Sequence, residues 1–323
     1  MSAHSPALLK VRQAVRPWLA QLPGNSTVLV GVSGGADSMS LVIALLLESN
    51  LKNIRVVPVV VDHGLQSNSA EVAGSVVQKL KTLGFEDIFT ARAHVTMQDG
   101  VEASARRARY QIFNQALDTY GSTVFFLGHT LDDQAETVLL GLARGSGTKS
   151  LSGMPEVTGP FIRPLLNIES ATTDTACVEY GIEVWNDPHN FNQDFRRVRV
   201  RQNILPTMEE NLGPGITEAL ARSARLLRED ATALDEWAAR IYGELDPKNL
   251  DIEVLSGLPK AVRSRVIRMA IYAAGAPSGS ISADHLLPIE ALITNWHGQG
   301  SADLPGGVKV ARISGRLSLS TPA

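Results

Sequence analysis

The chain has 323 residues, of which 44% are hydrophobic and 20% are charged, and its formal net charge is −3 at pH 7. These values are typical of a globular protein with one large domain or two modest ones. They exclude a strongly basic chain, so any nucleic-acid contact must come from a local patch. The single cysteine, Cys177, excludes a disulfide framework and a cysteine-rich metal site.

No segment of the sequence indicates a leader or a membrane span. The N-terminus lacks the charged and apolar regions of a secretion signal, and the apolar run Leu41–Leu47 is too short to cross a bilayer. We therefore expect a cytoplasmic protein. The oligomeric state stays open, and a homodimer is one alternative.

Apolar periodicity up to Pro206 predicts strands and helices that alternate. After an amphipathic helix at Ala7–Leu22, the predicted strands are Val28–Val32, Ile54–Val61, Ile88–Ala93, Thr123–Leu127 and Ile182–Asp187. The predicted helices are Met39–Leu47, Ser69–Leu83, Val101–Tyr120, Leu131–Leu142 and one around Cys177. This order is typical of an α/β fold with a doubly wound parallel sheet and helices on both faces.

A second, smaller domain is predicted after Pro206. We expect a first domain over residues 1–206 and a mainly helical domain over residues 207–323. Its predicted helices are Ile216–Tyr242, Leu255–Ala274 and Ala283–Trp296. The segments Val308–Val310 and Leu317–Leu319 alternate like a small hairpin.

The stretch Val28–Ser40, VLVGVSGGADSMS, has the composition of an anion site. A buried strand, a glycine turn and a helix N-terminus direct backbone N–H groups and the helix dipole towards one point. Its small and polar residues are Ser33, Gly34, Gly35, Asp37 and Ser38. Asp37 could also hold Mg²⁺. A turn that only caps a helix is the alternative, and neither a Walker A loop nor a GxGxxG motif is present.

A second polar cluster follows the strand that ends at Leu127. Asp133 and Glu136 are three residues apart on one helix face, so both carboxylates can hold one cation, either a metal or an ammonium group. His129 is a candidate phosphate donor. Capping of the helix by acidic residues is the alternative explanation.

Polar residues follow three of the predicted strands, at Ser33–Ser38, Asp62–Gly64 and Gly128–Asp133. Ligands bind at the carboxyl ends of the strands in parallel sheets of this type. We therefore expect the three clusters to meet at one edge of the sheet.

Basic residues are concentrated in three segments. Arg106 and Arg109 share a helix face, and Arg144-Gly145 begins a loop rich in hydrogen-bond donors that we assign to the same anion site. The most basic segment contains Arg196, Arg197, Arg199 and Arg201. Arginine suits phosphate and base recognition, which makes this segment a candidate nucleic-acid contact. A solvated helix start is the alternative.

These motifs resemble those of a known enzyme family. SGGADS resembles the SGGxDS signature of the PP-loop ATP pyrophosphatases, whose ATP-binding domain is Rossmann-like. With VDHGLQ, EASARRARY, GHTLDDQAETVLLGLARGSG, LSGMP, RPLL, WNDPHN and RVRVRQNILP, the chain resembles the tRNA(Ile)-lysidine synthases over about Val28 to Pro206. Two positions depart from that pattern. Thr130 stands where the family often has a second histidine, and Val198 replaces the asparagine of RNRIR.

The resemblance implies a reaction in two steps. ATP first activates C2 of the wobble cytidine in the isoleucine tRNA with a CAU anticodon, giving an adenylated base and pyrophosphate. The ε-amine of free L-lysine then displaces AMP and leaves lysidine. The implied cofactors are ATP and Mg²⁺.

The resemblance also suggests residue roles in this chain. It implies that ATP binds the loop residues together with His63 and His129, and that Arg109, Asp133 and Glu136 surround lysine. We add Arg144 and Gly145 to the ATP site and Asp37 as the metal ligand, and we assign tRNA binding to three arginines of the basic segment. The predicted catalytic residues are Asp37, Arg109, Asp133 and Glu136, and the tRNA-binding arginines are Arg197, Arg199 and Arg201.

Two other functions remain as alternatives. The first is another PP-loop enzyme, although a thiolase relies on more cysteines than Cys177 and an amidotransferase needs a glutaminase domain. The second is a nucleotide-sensing binding module. Such a module would explain an ATP-binding sheet but would leave the acidic pair and the basic segment without a function.

Overall fold

In the computed structural model the chain forms two compact units, Met1–Leu227 and Arg228–Ala323. The structure describes residues 5–62, 64, 69–93, 101–145, 147–185 and 192–321, without the side chains of residues 51 and 101–103. The division between the units lies inside one long helix, further along the chain than Pro206. The predicted domain boundary after Pro206 therefore stays a prediction.

The first unit contains a six-stranded sheet with the strand order β3-β2-β1-β4-β6-β5. Its strands are β1 (Thr27–Gly31), β2 (Arg55–Asp62), β3 (Phe89–Arg92), β4 (Phe125–Phe126), β5 (Val157–Thr158) and β6 (Phe161–Ile162). All neighbouring pairs are parallel except β5 and β6. In the register of the central strands, Leu29 pairs with both Val57 and Phe125.

Helices cover both faces of this sheet, as predicted. The first unit contains α1 (Pro6–Ala20), α2 (Ala36–Ser49), α3 (Ser69–Thr82), α4 (Val101–Tyr120), α5 (Leu131–Leu142), α6 (Thr148–Leu151), α7 (Ser170–Tyr180), α8 (Arg196–Arg199) and α9 (Leu205–Leu212). Side chains alternate along a strand, so Val28 and Val30 pack with α1, α2, α3 and α7, whereas Leu29 packs with α4. The doubly wound α/β prediction is confirmed.

One predicted strand is wrong in its described part. Residues 182–185 of the predicted strand Ile182–Asp187 form no strand, and residues 186–187 lie outside the described residues. Ile182 and Val184 are apolar because they pack against the core, and the N–H of Trp185 donates to the carbonyl of Gly34 at 2.9 Å. The sequence prediction missed β6, which is two residues long and lies next to β4.

A π-helical turn, Val200–Ile204, joins α8 to α9 without a break. Pro206 lies in the first turn of α9 and has no N–H to donate to the carbonyl of Gln202, four residues earlier. A wider turn avoids the clash between the proline ring and that carbonyl. This turn contains Arg201, the last arginine of the basic segment.

The second unit combines helices with a four-stranded antiparallel sheet of order β7-β10-β9-β8. It contains most of α10 (Ile216–Gly243), then α11 (Ile252–Ser256), α12 (Lys260–Ala273) and α13 (Ala283–Thr294). Its strands are β7 (Asn249–Asp251), β8 (Ala302–Asp303), β9 (Lys309–Ile313) and β10 (Arg316–Ser320). The predicted hairpin is confirmed as β9 and β10, and its two-residue turn has positive φ at Ser314 and Gly315. The sequence did not show that two short strands extend it.

None of the described helices has both the length and the apolar character that crossing a bilayer needs.

Candidate active site

The loop between β1 and α2 is held by its own hydroxyl groups. The N–H of Ser33 donates to Oγ of Ser38 at 3.1 Å, and that oxygen donates to the carbonyl of Gly35 at 3.0 Å. Gly34 has φ +92°, and a Cβ at this position would lie 2.6 Å from Cγ2 of Val76. Glycine is therefore required there for both conformation and space. The loop presents the free N–H groups and positive dipole end of α2, which suits an anion.

The loop that follows β4 packs directly against this anion loop. A Cβ on Gly128 would lie 2.9 Å from the carbonyl oxygen of Asp37, so only glycine permits the contact. Since β1 and β4 are parallel neighbours, both loops leave the same edge of the sheet. The expected meeting of these two clusters is confirmed. The parallel strand β2 ends at the same edge with Asp62, but His63 lies outside the described residues.

Asp37 is partly buried and hydrogen-bonded to a residue of α7. Its Oδ1 shares a short hydrogen bond with Oγ1 of Thr173, and that hydroxyl also lies 2.7 Å from the carbonyl of Ser170. Burial raises the pKa of Asp37 to about 7, the hydrogen bond from Thr173 opposes this rise, and the charge of Asp133 adds to it.

Asp133 lies in the first turn of α5 and has a structural role there. The backbone N–H of the N-cap residue, Thr130, donates to Oδ2 of Asp133 at 2.9 Å, which completes a capping box. Glu136, one turn later, has a fully buried side chain. The capping alternative is therefore correct for Asp133, but it does not account for the second carboxylate.

Two arginines of the basic segment hold both carboxylates. Nε of Arg197 lies 2.5 Å from Oε2 of Glu136, and Nε of Arg201 lies 2.5 Å from Oε1. The Nη2 atoms of the same two arginines lie 3.1 and 3.2 Å from Oδ1 of Asp133. The four side chains form a charge-balanced group, which we call the acid–arginine cluster. The carboxylates do bind cations in this structure, and those cations are guanidinium groups.

Burial and nearby charges shift the pKa values of Asp133 and His129. Burial raises the pKa of Asp133, but the charges of Arg197 and Arg201 and the hydrogen bond from the N–H of Thr130 lower it more, and the net shift is below its ordinary value. Burial lowers the pKa of His129 to about 4; Asp133 opposes this shift, whereas Arg163 and Arg197 add to it. The imidazole is therefore neutral at pH 7. Its Nδ1 is buried and has no hydrogen-bond partner among the described residues.

Comparison with known proteins matches both units of the chain. The PP-loop domain family matches residues 7–208, and the TilS substrate binding domain matches residues 250–318. The chain is 45% identical over 322 residues to the tRNA(Ile)-lysidine synthase of Thermobifida fusca, which covers 99% of each sequence. It is 46% identical over 301 residues to that of Streptomyces coelicolor, covering 92% of this chain and 86% of the relative. The chain belongs to the tRNA(Ile)-lysidine synthase family.

A solved structure supports the same fold at lower similarity. The U34-tRNA thiolase NcsA from Methanococcus maripaludis superposes with a TM-score of 0.58 at 20% identity, covering 69% of this chain and 80% of that one. This likeness concerns the fold alone. Membership of the lysidine synthase family and its PP-loop domain imply that the protein is an enzyme that uses ATP.

The structure brings together some, but not all, of the residues that the lysidine synthase resemblance suggested. Arg144 and Gly145 lie beyond the C-terminal end of α5, where Arg144 is exposed and donates to the carbonyl of Leu140 at 3.0 Å. A helix rises about 1.5 Å per residue, which puts Arg144 roughly 16 Å from Asp133 along α5. Their assignment to ATP stays a prediction. Arg109 is partly buried on α4, and its role towards lysine also stays a prediction.

Reasoning from the sequence missed two residues of α7, Ser170 and Thr173. Ser170 Oγ lies 3.0 Å from Oγ1 of Thr130, and Thr173 is bonded to Asp37. Serine and threonine near a helix start are ordinary capping residues, so the sequence contained no signal that would have singled them out.

Proposed function

We propose that the protein forms lysidine on the isoleucine tRNA with a CAU anticodon, using ATP and free L-lysine and releasing AMP and pyrophosphate. The observation that carries this proposal is the contact between Gly128 and the backbone of Asp37. This contact puts an anion loop beside a pair of carboxylates, as a reaction between ATP and a cationic amine requires. Family membership supports the same conclusion.

The anion loop is suited to the adenylation step. In that step the C2 oxygen of cytidine forms a bond to the α-phosphorus of ATP, and the bond to pyrophosphate breaks. The hydroxyl groups of Ser33 and Ser38 and the first N–H groups of α2 would stabilise the charge that develops on the phosphates. His129 is neutral at pH 7 and would serve as a hydrogen-bonding group near the nucleotide.

Asp37 is our candidate ligand for Mg²⁺. No group of three or more metal-ligating side chains occurs in the part of the chain that the structure describes. Magnesium at nucleotide sites commonly uses one or two carboxylates together with phosphate oxygens and water, and a single carboxylate beside the anion loop fits that donor set. When bound, Mg²⁺ would neutralise charge on the departing pyrophosphate.

The acid–arginine cluster is our candidate lysine site. An incoming ammonium group would compete with Arg197 and Arg201 for the oxygens of Asp133 and Glu136. The amine must lose a proton before it attacks C2, and the two carboxylates are the candidate acceptors. Attack then breaks the bond between C2 and the AMP oxygen, so AMP leaves with that electron pair.

The basic segment is our candidate contact to the tRNA backbone. The side chains of Arg197 and Arg201 are 31% and 42% exposed, so each still offers N–H groups to an anion while it holds the carboxylates. Arg199 lies outside the cluster and donates to the backbone carbonyls of Gln193 and Asp194. We expect the second unit to add further tRNA contacts and the reaction to take place in the cytoplasm.

The deciding experiment is incorporation of radiolabelled lysine into isoleucine tRNA with an unmodified CAU anticodon. We expect label on the tRNA only when ATP is present, with one pyrophosphate released per lysine. Asp37→Ala should abolish pyrophosphate release while the protein stays folded. ATP binding without incorporation would instead favour a nucleotide-sensing module, and sulfur transfer to the tRNA would favour a thiolase.

A further inference from the structure

Helix α7 is bonded to the N-terminal ends of both helices that build the site. Towards α2, Thr173 is hydrogen-bonded to Asp37, and Sγ of Cys177 lies 3.5 Å from the carbonyl of Ala36. Towards α5, the N–H of Ser170 donates to Oδ2 of Asp132 at 2.7 Å. One short helix therefore connects the anion loop to the helix of the acid–arginine cluster.

Thr173 is well suited to hold a carboxylate in one position. Its side chain is fully buried, and β-branching restricts its χ1 angle. Its hydroxyl is fixed from the other side by the carbonyl of Ser170 at 2.7 Å. Among the described residues, Thr173 is the only one whose side chain hydrogen-bonds the carboxyl of Asp37. Without this contact the partly exposed carboxyl would be free to rotate.

Ser170 performs the corresponding function at α5. Its hydroxyl lies 3.0 Å from Oγ1 of Thr130, the N-cap residue of α5. The backbone N–H of Thr130 in turn donates to the carboxylate of Asp133. A series of hydrogen bonds, joined through the covalent structure of Ser170 and Thr130, thus runs from Asp37 through Thr173, Ser170 and Thr130 to Asp133. The two carboxylates at its ends are those that the proposed function assigns to different substrates.

We propose that Thr173 and Ser170 are positioning residues, which hold Asp37 and the start of α5 at a fixed separation. Thr173 orients the carboxyl that faces the nucleotide, and Ser170 orients the carboxylate that faces the amine. This inference rests on the proposed function, because it takes the anion loop to be the ATP site. Residues that orient a ligating group commonly change affinity or activity by about 10–100-fold when they are removed.

The test compares three variants of the full chain. Thr173→Val keeps the shape and removes the hydroxyl, whereas Thr173→Ser keeps the hydroxyl. Thr175→Val is the matched control, because Thr175 is exposed on the same helix and bonds only the carbonyl of Ala171. Binding of a non-hydrolysable ATP analogue is measured over a series of Mg²⁺ concentrations, without tRNA or lysine. Melting temperatures are recorded in parallel.

We expect Thr173→Val to weaken binding of the analogue by about 10-fold and to raise the KM for ATP without raising the KM for lysine. Thr173→Ser should restore both values, and Thr175→Val should match the wild type. Wild-type affinity in a folded Thr173→Val protein would overturn the inference. So would a Thr173→Ser protein that binds as poorly as Thr173→Val.

Ser170→Ala provides an independent variant in case Thr173→Val does not fold. It should raise the KM for lysine while binding of the ATP analogue stays at the wild-type level, and an unchanged KM for lysine would overturn the inference. Failure of the wild-type protein to bind the analogue would contradict the proposed function itself. The two failures are therefore distinguishable.

Discussion

At the scale of single residues, Asp133 uses its two carboxylate oxygens for two different purposes. Oδ2 accepts the N–H of Thr130 and caps α5, whereas Oδ1 faces the guanidinium groups of Arg197 and Arg201. Capping and cation binding are both available to one residue because its two oxygens point in different directions. Glu136 makes no cap and contributes only to the acid–arginine cluster.

Glu136→Gln tests whether that cluster is the lysine site. The substitution keeps the shape but removes the charge, and loss of a partly buried ion pair costs roughly 2–5 kcal/mol. We expect the KM for lysine to rise more than tenfold. Adenylation precedes attack by lysine, so the variant should accumulate adenylated tRNA, detected as label from α-³²P ATP retained on RNA.

Glu156→Gln is the matched control for this variant, because Glu156 is exposed and lies outside the cluster. It should leave the KM for lysine unchanged. A Glu136→Gln enzyme with a normal KM for lysine but much slower adenylation would show that the carboxylates serve ATP, Mg²⁺ or the fold instead.

His129 predicts a dependence of stability on acid pH. Its pKa is about 4 in the folded state and 6.5 in the unfolded chain, so the unfolded state binds a proton first as the pH falls. Its contribution to the free energy of unfolding is present above pH 6.5 and is lost between pH 6.5 and about 4. Over this pH range we expect the free energy of unfolding of His129→Gln to fall by about 1–3 kcal/mol less than that of the wild type, measured by urea unfolding.

Asp37 should have the opposite effect. Its pKa rises to about 7 in the folded state from 3.8, so its contribution is present below pH 3.8 and is lost as the pH rises through 7. The free energy of unfolding of Asp37→Asn should therefore rise less than that of the wild type on acidification from pH 7 to 4.

For the His129 prediction, equal pH profiles for the wild type and His129→Gln would show that the imidazole is not held neutral.

At the scale of secondary-structure elements, the continuous helix from α8 through the π turn to α9 divides its arginines between two surfaces. Arg197 and Arg201 face the carboxylates of α5, whereas Arg199 bonds backbone carbonyls just before α8. Arginines four residues apart share a helix face, so the pairing of Arg197 with Arg201 follows from their spacing. That they face α5 depends on how the two helices pack.

This division predicts different effects for two arginine substitutions. Arg199→Gln should weaken tRNA binding and reduce the slope of log affinity against log salt concentration by about one, without raising the KM for lysine. Arg197→Gln should change the KM for lysine as well, because it leaves two carboxylates with one guanidinium partner.

Arg55→Gln is the control for both substitutions. Arg55 is exposed at the amino end of β2, at the edge of the sheet opposite the site, and pairs with Asp87. It should leave the salt slope unchanged. If Arg199→Gln also leaves the slope unchanged, Arg199 is a solvated surface residue and not a tRNA contact.

At the scale of the whole molecule, each unit has a hydrophobic core of its own. Ile43 of α2 is fully buried in the core of the first unit, and Ile289 of α13 is fully buried in that of the second. The anion loop is built entirely from the first unit. A defect in the second core should therefore affect tRNA binding more than nucleotide binding.

The matched pair Ile43→Ala and Ile289→Ala tests this separation. Each substitution leaves a cavity and should cost about 2–5 kcal/mol in its own unit. Ile289→Ala should weaken tRNA binding while the affinity for an ATP analogue, measured by titration, stays at the wild-type level. Ile43→Ala should weaken binding of the analogue. Equal loss of nucleotide binding in both variants would contradict independent units.

The sequence alone was sufficient to predict the class of fold, the anion loop, and the helix face that carries Asp133 and Glu136. Apolar runs next to glycine turns identified β1, β2 and the anion loop. Such a turn can be predicted locally because only glycine adopts its backbone conformation without strain. The i, i+3 spacing identified the face that Asp133 and Glu136 share. The alternation of strands and helices also predicted that three polar clusters would meet at one edge of the sheet, which is confirmed for the two that follow β1 and β4.

Only the tertiary structure decided what these residues contact. The strand β6 was missed because two residues are too few for a periodic signal, and its place beside β4 comes from long-range pairing. The pairing of Arg197 with Glu136 spans 61 residues, and the hydrogen bond from Thr173 to Asp37 spans 136. Spacing along the chain reports only neighbours on one helix or strand. Contacts over such separations depend on which faces pack together, and packing is a property of the whole fold.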